Sequence, residues 1–419
     1  MAQTTPSSQK NIIILGGSYG GISSAHYILK HVIPALPSSS SYQVILVSTS
    51  TQAMCRPACP RALISDDFFD QQKLFVGITK GFEQYPTDTF RFVHGTATSL
   101  DHTSRTVSVR VAADNSSESF AYHALVIATG ASTPSPLFGL NHGESFLRES
   151  WAAFRKALPT AKTIIIAGGG PAGVETAGEL GEYLNGRARW FSSKLANPKV
   201  AITVVTADSK ILPALRASIA AKAEAQLAKV GVTVIKNARV TNAVPIGAAA
   251  GADSVSKTTV TLSDGKTMEA DLYIPATGLI PNTTFVPKEL LTSNERVETS
   301  SSTLRVEKAG SRVYAVGDVS SAARPAIHIL MEAIPVLCAN LKRDLLLDTG
   351  KAESEVGAER TFKEDTSETQ MVAIGTKKGV GAAMGWQLPS FMVWLIKGRD
   401  YWLWTTGNLW SGKQWAKET

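Results

Sequence analysis

The stretch TIIIAGGGPAGVE, Thr163 to Glu175, decides the fold. A β-branched apolar run leads into glycines and then into a helix-forming segment, the pattern of a buried strand, a tight turn and a helix. Gly168, Gly170 and Gly173 keep the spacing G-x-G-x-x-G. That spacing lets a turn's backbone approach a pyrophosphate, while the helix behind it offers amide donors and the positive end of its dipole. The last glycine lets helix and strand pack closely. The partner strand, Lys199 to Thr206, follows an aromatic and basic helix extension, Tyr183 to Lys194, and completes a mononucleotide-binding unit.

The chain opens on a copy of the same pattern. Asn11 to Leu15 reads as a strand, Gly16-Gly17-Ser18-Tyr19-Gly20-Gly21 as the turn, and the residues to about His31 as a helix. Ser18 stands where the middle glycine belongs, which is tolerable only if its Cβ points away from phosphate. After a Pro/Ser-rich break, Gln43 to Val47 supplies the second strand. Alternating residues around Phe90 to Val93 and Thr106 to Val111 predict antiparallel hairpins. The buried strand ALVIATG, Ala124 to Gly130, is echoed by YIPATG, Tyr273 to Gly278. Between them Gly247 to Lys257 reads as a hairpin tip. VYAVGD, Val313 to Asp318, is a strand presenting an acid at its end, and an apolar helix follows from about Pro325 to Leu347.

A chain of 419 residues with 44% hydrophobic and 18% charged residues is globular and long enough for two or three domains. A net charge of +7 favours anionic partners such as nucleotide phosphates, but the basic residues are scattered, so nucleic acid is not expected as a partner. Three cysteines do not make a disulfide framework, and no metal site is expected. No targeting segment and no apolar run long enough to span a membrane is visible, so the expected place is cytoplasmic or peripheral to a membrane.

The acid that commonly binds ribose at the end of the second strand is replaced by Ser48 in one unit and Thr206 in the other. Their hydroxyls can still meet a ribose, and the missing carboxylate removes a repulsion against a 2′-phosphate. Lys210 is the nearest cation, so these residues leave NADH and NADPH undivided.

Two such turns, Ala-Thr-Gly at 128–130 and 276–278, and Gly317-Asp318, in that order, resemble the two-dinucleotide-binding-domain flavoprotein reductases. Gly173-Val174-Glu175, Leu212-Pro213 with Arg216, and Lys397-Gly398-Arg399-Asp400 resemble in particular the branch of the apoptosis-inducing-factor homologue also called ferroptosis suppressor protein. The resemblance implies an α/β fold of two Rossmann-like domains, for FAD and NAD(P), the second inserted in the first, plus a small C-terminal element. The bounds read from sequence are an FAD part at 1–155 and 276–347, an NAD(P) part at 156–275, a linker at 348–369 and a Trp-rich cap at 370–419.

It further implies hydride transfer from NADH or NADPH to FAD and electron delivery to a small-molecule acceptor such as a quinone. Gly16, Gly17, Ser18, Tyr19, Gly20 and Gly21 with Ala128, Thr129, Gly130 and Gly317 would surround FAD, and Asp318 would bind its ribityl chain. Gly168, Gly170, Gly173 and Gly278 would hold the nicotinamide nucleotide. The branch's lysine after the proline of the next helix is Ala326 here, and its myristoylated N-terminus is absent.

Three residues are candidates for the chemistry. Glu175, in the first turn of the second-turn helix, pairs in this reading with Arg61 from the loop after Cys59-Pro60, the alternatives being a helix-dipole charge and a solvated cation. His328 is either a proton donor to the acceptor or a helix-packing histidine. Cys55 and Cys59 open a competing function, a dithiol/disulfide oxidoreductase. Pro57 between them is expected to disfavour the helical presentation that such a pair requires. A slowly turning redox-sensing flavoprotein is the third reading. Six of the eight tryptophans lie between Trp386 and Trp415 among lysines and arginines, which suits either a membrane interface or packing over the flavin domain.

Overall fold

The computed structural model describes residues 9–140, 142–245 and 255–419. Its larger sheet has seven strands in the order Val313–Ala315, Ala124–Ile127, Lys10–Leu15, Tyr42–Ser48, Phe90–Asp101, Thr106–Val111, Ser117–Ala121. The first four pair in parallel, and the last two are antiparallel additions. Phe90–Asp101 belongs to both regimes. It runs parallel to Tyr42–Ser48 through Phe90–His94 and antiparallel to Thr106–Val111 from Gly95 onward, so the hairpin expected at Phe90 begins only at Gly95.

Alternate residues of the opening strand feed two cores, as a strand covered on both faces requires. Ile12 and Ile14 join Ile22, Ile329 and Ile334 beneath the helices. Ile13 and Leu15 join Val107, Val109 and Phe120 on the opposite face.

The second sheet is wholly parallel, Val232–Ile235, Ala201–Val205, Thr163–Ala167, Leu272–Pro275, with a three-stranded antiparallel sheet, Val240–Pro245, Thr258–Leu262 and Thr267–Ala270, beside it. Most of the hairpin tip expected at 247–257 lies outside the described residues. The helix of this unit, Pro171–Asn185, stops at Gly186, whose φ of 78° ends it. Residues 186–199 are a loop, so the expected helix extension to Lys194 does not form.

Both sheets are tied together where the chain leaves the second and returns to the first. Ile280–Pro281 pairs with Ala131–Ser132, Thr129 Oγ1 donates to the carbonyl of Asn282 at 2.8 Å, and Asn282 Nδ2 returns a bond to the carbonyl of Thr129 at 2.9 Å. The strand Val313–Ala315 then rejoins the first sheet next to Ala124–Ile127.

Residues 348–369 are laid along the first unit rather than hanging between parts. Phe362 is buried with its amide on the carbonyl of Ser302 at 2.7 Å, and Arg324 pairs with Glu364 at 3.6 Å. Beyond them Gln370–Ala373, Gly379–Ala383 and Trp386–Gln387 form a small antiparallel sheet, followed by short helices. Trp410 packs edge-on to Tyr19 at 4.8 Å and Trp415 edge-on to Tyr27 at 5.6 Å, so these two rings serve the packing alternative. Trp386 and Trp404 are 79% and 62% exposed and do not. No helix among the described residues is long and apolar enough to cross a membrane.

His26, fully buried on the first-turn helix, is a pH-sensitive part of this packing. Its ring stacks on Phe82 at 4.1 Å, Nε2 donates to the carbonyl of Trp410 at 3.0 Å, and Nδ1 accepts from the Tyr85 hydroxyl at 2.8 Å. Burial holds its pKa down to about 4. Between about pH 6.5 and 4 the unfolded chain binds a proton that the folded chain excludes, so its contribution is whole above that window and lost on descending through it. Its ceiling is about 3 kcal/mol. Melting temperatures at pH 7 and pH 5 should therefore fall less in His26→Gln than in the wild type; equal falls would assign the acid sensitivity to other groups.

Candidate active site

The two glycine turns repeat each other in detail. Gly16 and Gly168 have φ of +118° and +124°, and a Cβ on either would lie 2.2 Å from the carbonyl oxygen of Ala128 or Ala276. The two Ala-Thr-Gly exits thus act as walls against which the turns are built. A Cβ on Gly21 would lie 1.7 Å from the carbonyl of Gly16, and one on Gly173 2.0 Å from that of Gly168, which is the close helix-strand contact expected of the last glycine.

Gly17 and Gly169, outside the fingerprint, have their own reason. A Cβ there would meet Ser48 at 2.4 Å and Thr206 at 2.7 Å. The hydroxyl residues ending the second strands are packed under the turns. Ser48 Oγ donates to the carbonyl of Ser50 at 2.7 Å and both residues are buried, so its donor is spent within the protein rather than on a ribose. Thr206 is buried as well, with Oγ1 accepting from the amide of Asp208 at 3.4 Å. Lys210 bonds the carbonyls of Pro213 and Leu215 and is not extended toward a phosphate.

Both helices behind these turns start without a side-chain cap, at Ser18 and at Gly170. Their first-turn amides and dipoles remain available to an anion. Ser18 is exposed, as the departure from glycine demands, and a Cβ on Gly170 would meet no protein atom within 4 Å. These are two places where a pyrophosphate fits.

Gly317, with φ of +81°, turns the chain after Val313–Ala315 and sets Asp318 beside the first turn, where Leu330 approaches both Gly20 and Gly317. Burial raises the Asp318 carboxyl above its usual range, against the opposing pull of Arg56 and Arg296. Arg56 Nη1 lies 3.8 Å from Asp318, while its Nε and Nη1 donate to the carbonyls of Phe138 and Ala131 at 3.1 and 2.9 Å. Sequence reasoning passed over Arg56 because nothing about a cation between two cysteines says which carbonyls it will reach.

The expected pair of Arg61 with Glu175 is not formed. Residues Arg56–Ala58 make a turn of 3₁₀ helix and Cys59–Ala62 a turn of α-helix. Pro57 and Pro60 sit in the first positions of these turns, where a missing amide costs nothing, so proline starts the helical presentation rather than preventing it. Arg61 consequently comes from a helix, not a loop, and reaches one turn further along the facing helix than expected. It grips Glu179 by two bonds, Nε to Oε2 at 2.9 Å and Nη2 to Oε1 at 2.8 Å. Both side chains are at most 5% exposed. Tyr401 donates to the same carboxylate at 2.8 Å and lays its ring under the guanidinium at 4.8 Å.

Glu175 takes a partner from the far end of the chain. Lys397 Nζ lies 2.5 Å from its Oε1, which also accepts the amide of Ala373 at 3.0 Å, and Nζ donates in addition to the carbonyl of Met371 at 2.9 Å. Burial raises the Glu175 carboxyl above its usual range, with Lys397 pulling it back. Glu175 and Glu179, one turn apart on an apolar helix face, thus form two adjacent buried ion pairs. That acid-acid spacing was the signal available in sequence for a second pair; which cation meets which acid had none.

Cys55 and Cys59 are buried free thiols. Cys55 donates to the carbonyl of Tyr401 at 3.4 Å and receives the Tyr19 hydroxyl at 3.7 Å. Burial pushes the two thiols up to about 11 and about 12. His328 stands apart from this group, on the helix Ile327–Asp348. Burial and Arg324 lower its pKa, and its Nε2 has no hydrogen-bond partner.

The family model for pyridine nucleotide-disulphide oxidoreductases matches residues 10–335. Oxidoreductase phnG of Penicillium herquei is 64% identical over 417 residues, all of both chains. Ferroptosis suppressor protein 1 of Homo sapiens is 24% identical over 93% of each chain. The solved structure of NDH2 from Plasmodium falciparum in complex with NADH superposes with a TM-score of 0.65 at 15% identity, covering 98% of this chain and 99% of that one.

Proposed function

The chain belongs to the pyridine nucleotide-disulphide oxidoreductases, flavoproteins that use FAD and NAD(P)H, and from that premise we propose that its electrons go to a quinone or similar small acceptor and not to a disulfide. The observation that carries this reading is the condition of Cys55 and Cys59. Disulfide exchange needs a thiolate, and both thiols are buried free cysteines whose ionised form burial disfavours. With the thiols silent, the acceptor must take electrons without a protein intermediary. The likeness to ferroptosis suppressor protein along nearly the whole chain supports assignment to that branch.

FAD, when bound, supplies a carrier that accepts hydride from NAD(P)H and is emptied by the acceptor. The chain's own residues do the rest. The uncapped helix starts at Ser18 and Gly170 would receive the two pyrophosphates, and Asp318, braced by Arg56, would accept ribityl hydroxyls. Lys397 orients Glu175 and opposes the burial that raises its carboxyl, so that Glu175 would face a bound nicotinamide as a positioned group. The exposed Trp386 and Trp404 favour a peripheral membrane contact where an apolar acceptor would dissolve.

Anaerobic stopped-flow bleaching of the flavin tests the scheme. Glu175→Gln keeps an acceptor for the Ala373 amide but leaves Lys397 without its counter-charge, and reduction by NAD(P)H should slow roughly tenfold or more with FAD content unchanged. The reduced wild-type enzyme should show no long-wavelength thiolate-flavin band, and Cys55→Ser with Cys59→Ser should leave quinone reduction largely intact. Loss of turnover in that double variant with FAD retained, and two thiols titrating only after NADPH, would replace the proposal by the dithiol reading.

A further inference from the structure

The loop after the second-turn helix carries the two most exposed aromatic residues among those described, Trp190 at 84% and Phe191 at 98%. They are not on a loose strand. The amide of Ser192 donates to the carbonyl of Arg189 at 3.0 Å, so Trp190 and Phe191 are the two central residues of a closed turn. The stem is pinned on both sides to the end of the helix Ala217–Ala228. Ala188 donates to the carbonyl of Lys229 at 2.8 Å and Leu195 to that of Ala228 at 2.9 Å. Asn185 closes the base by bonding both the carbonyl and the amide of Val200, at 3.0 and 2.8 Å. A fixed turn holding adjacent rings in water keeps apolar surface exposed that a small rearrangement of free chain would hide.

Within the loop's own segment the charge has one sign. Arg189, Lys194 and Lys199 are exposed and form no ion pair among the described residues, and the sequence holds no Asp or Glu between Glu182 and Asp208. Tyr183, 55% exposed, stands on the same helix end with its ring edge against Phe68 at 6.2 Å. Aromatic rings projecting from a basic surface suit a deformable interface, where rings enter between headgroups and cations meet their phosphates. A rigid protein partner would need a pocket for each ring and its own acids opposite the three cations.

We propose that the turn Arg189–Ser192 is a membrane-docking loop specific for anionic lipid surfaces. It is distinct from the exposed tryptophans late in the chain. Arg216, at the start of the helix Ala217–Ala228, bonds the carbonyl of Gly385, which sets Trp386 near that end, while the loop is pinned to the other.

The full chain loaded with FAD is sedimented with phosphatidylcholine vesicles, with and without phosphatidylserine. The wild type should bind the anionic vesicles and Trp190→Ser/Phe191→Ser should bind at least about tenfold more weakly, as should Arg189→Gln/Lys194→Gln. NAD(P)H oxidation with a water-soluble acceptor, measured on the same samples, should be unchanged. Three results overturn the proposal: no binding by the wild type; binding lost only in Trp386→Ser/Trp404→Ser, which would move the contact to the later segment; or self-association without vesicles that the Trp190/Phe191 variant abolishes, which would make the loop a contact between copies.

Discussion

Arg61→Ala should destabilise the folded enzyme by about 3 to 5 kcal/mol, because it leaves the Glu179 carboxylate buried with no cation. Glu179→Ala should cost about as much by stranding the guanidinium. Arg61→Met combined with Glu179→Leu should regain most of the loss, since an apolar pair of similar volume has no charge to desolvate. Thermal unfolding of FAD-loaded protein measures all three. A single-variant loss below about 1 kcal/mol is the value of a solvated pair and would contradict the burial described. The double variant also separates structure from catalysis: full NAD(P)H turnover would remove Arg61 and Glu179 from the reaction and leave Glu175 with Lys397.

The second large effect divides two glycines of one turn. Gly173→Ala should abolish folding of the second unit or weaken NAD(P)H binding by roughly a hundredfold or more, because its Cβ would sit 2.0 Å from a backbone carbonyl that cannot move without opening the turn. Gly170→Ala meets no protein atom within 4 Å and its φ of −74° suits alanine. It should therefore leave stability within about 0.5 kcal/mol while raising the KM for NAD(P)H, because the methyl group projects into the space before the helix. Unchanged KM in Gly170→Ala would mean that the nucleotide does not approach there. Gly357→Ala, equally free of neighbours, is the control.

Local signals carried the fold. Glycine spacing, β-branched strands and the paired Ala-Thr-Gly exits are short-range patterns, each readable within about ten residues, and they position both turns and Asp318. The candidate site was legible as far as those patterns reach. What sequence reasoning missed are contacts between residues far apart in the chain: Arg61 with Glu179, Glu175 with Lys397, Arg56 with Asp318. The first two form where the residues after 370 are laid across the two earlier units, the third where the chain returns to the first sheet at Gly317, and no periodicity encodes either. Two local misreadings had simpler causes. Proline was read as a breaker where it opens a helix, and an apolar-basic run after the helix was read as its continuation although Gly186 ends it.

The packing of the residues near Trp410 and Trp415 onto the opening helix has a consequence for biosynthesis. Tyr27 bonds the carbonyl of Thr419 at 2.9 Å, His26 that of Trp410 and His31 that of Trp415. The first sheet likewise waits for Val313–Ala315 to cover Ala124–Ile127. At roughly 5 to 20 residues per second, these partners leave the ribosome tens of seconds after the helix that needs them. During that interval the nascent first unit displays an open sheet edge and an uncovered helix face, while the second unit, whose parallel strands all lie between Thr163 and Pro275, can complete its sheet although Glu175 still waits for Lys397. The sheet of the inserted unit should thus close before that of the unit surrounding it, and chaperone dependence during synthesis should fall on the earlier-made half.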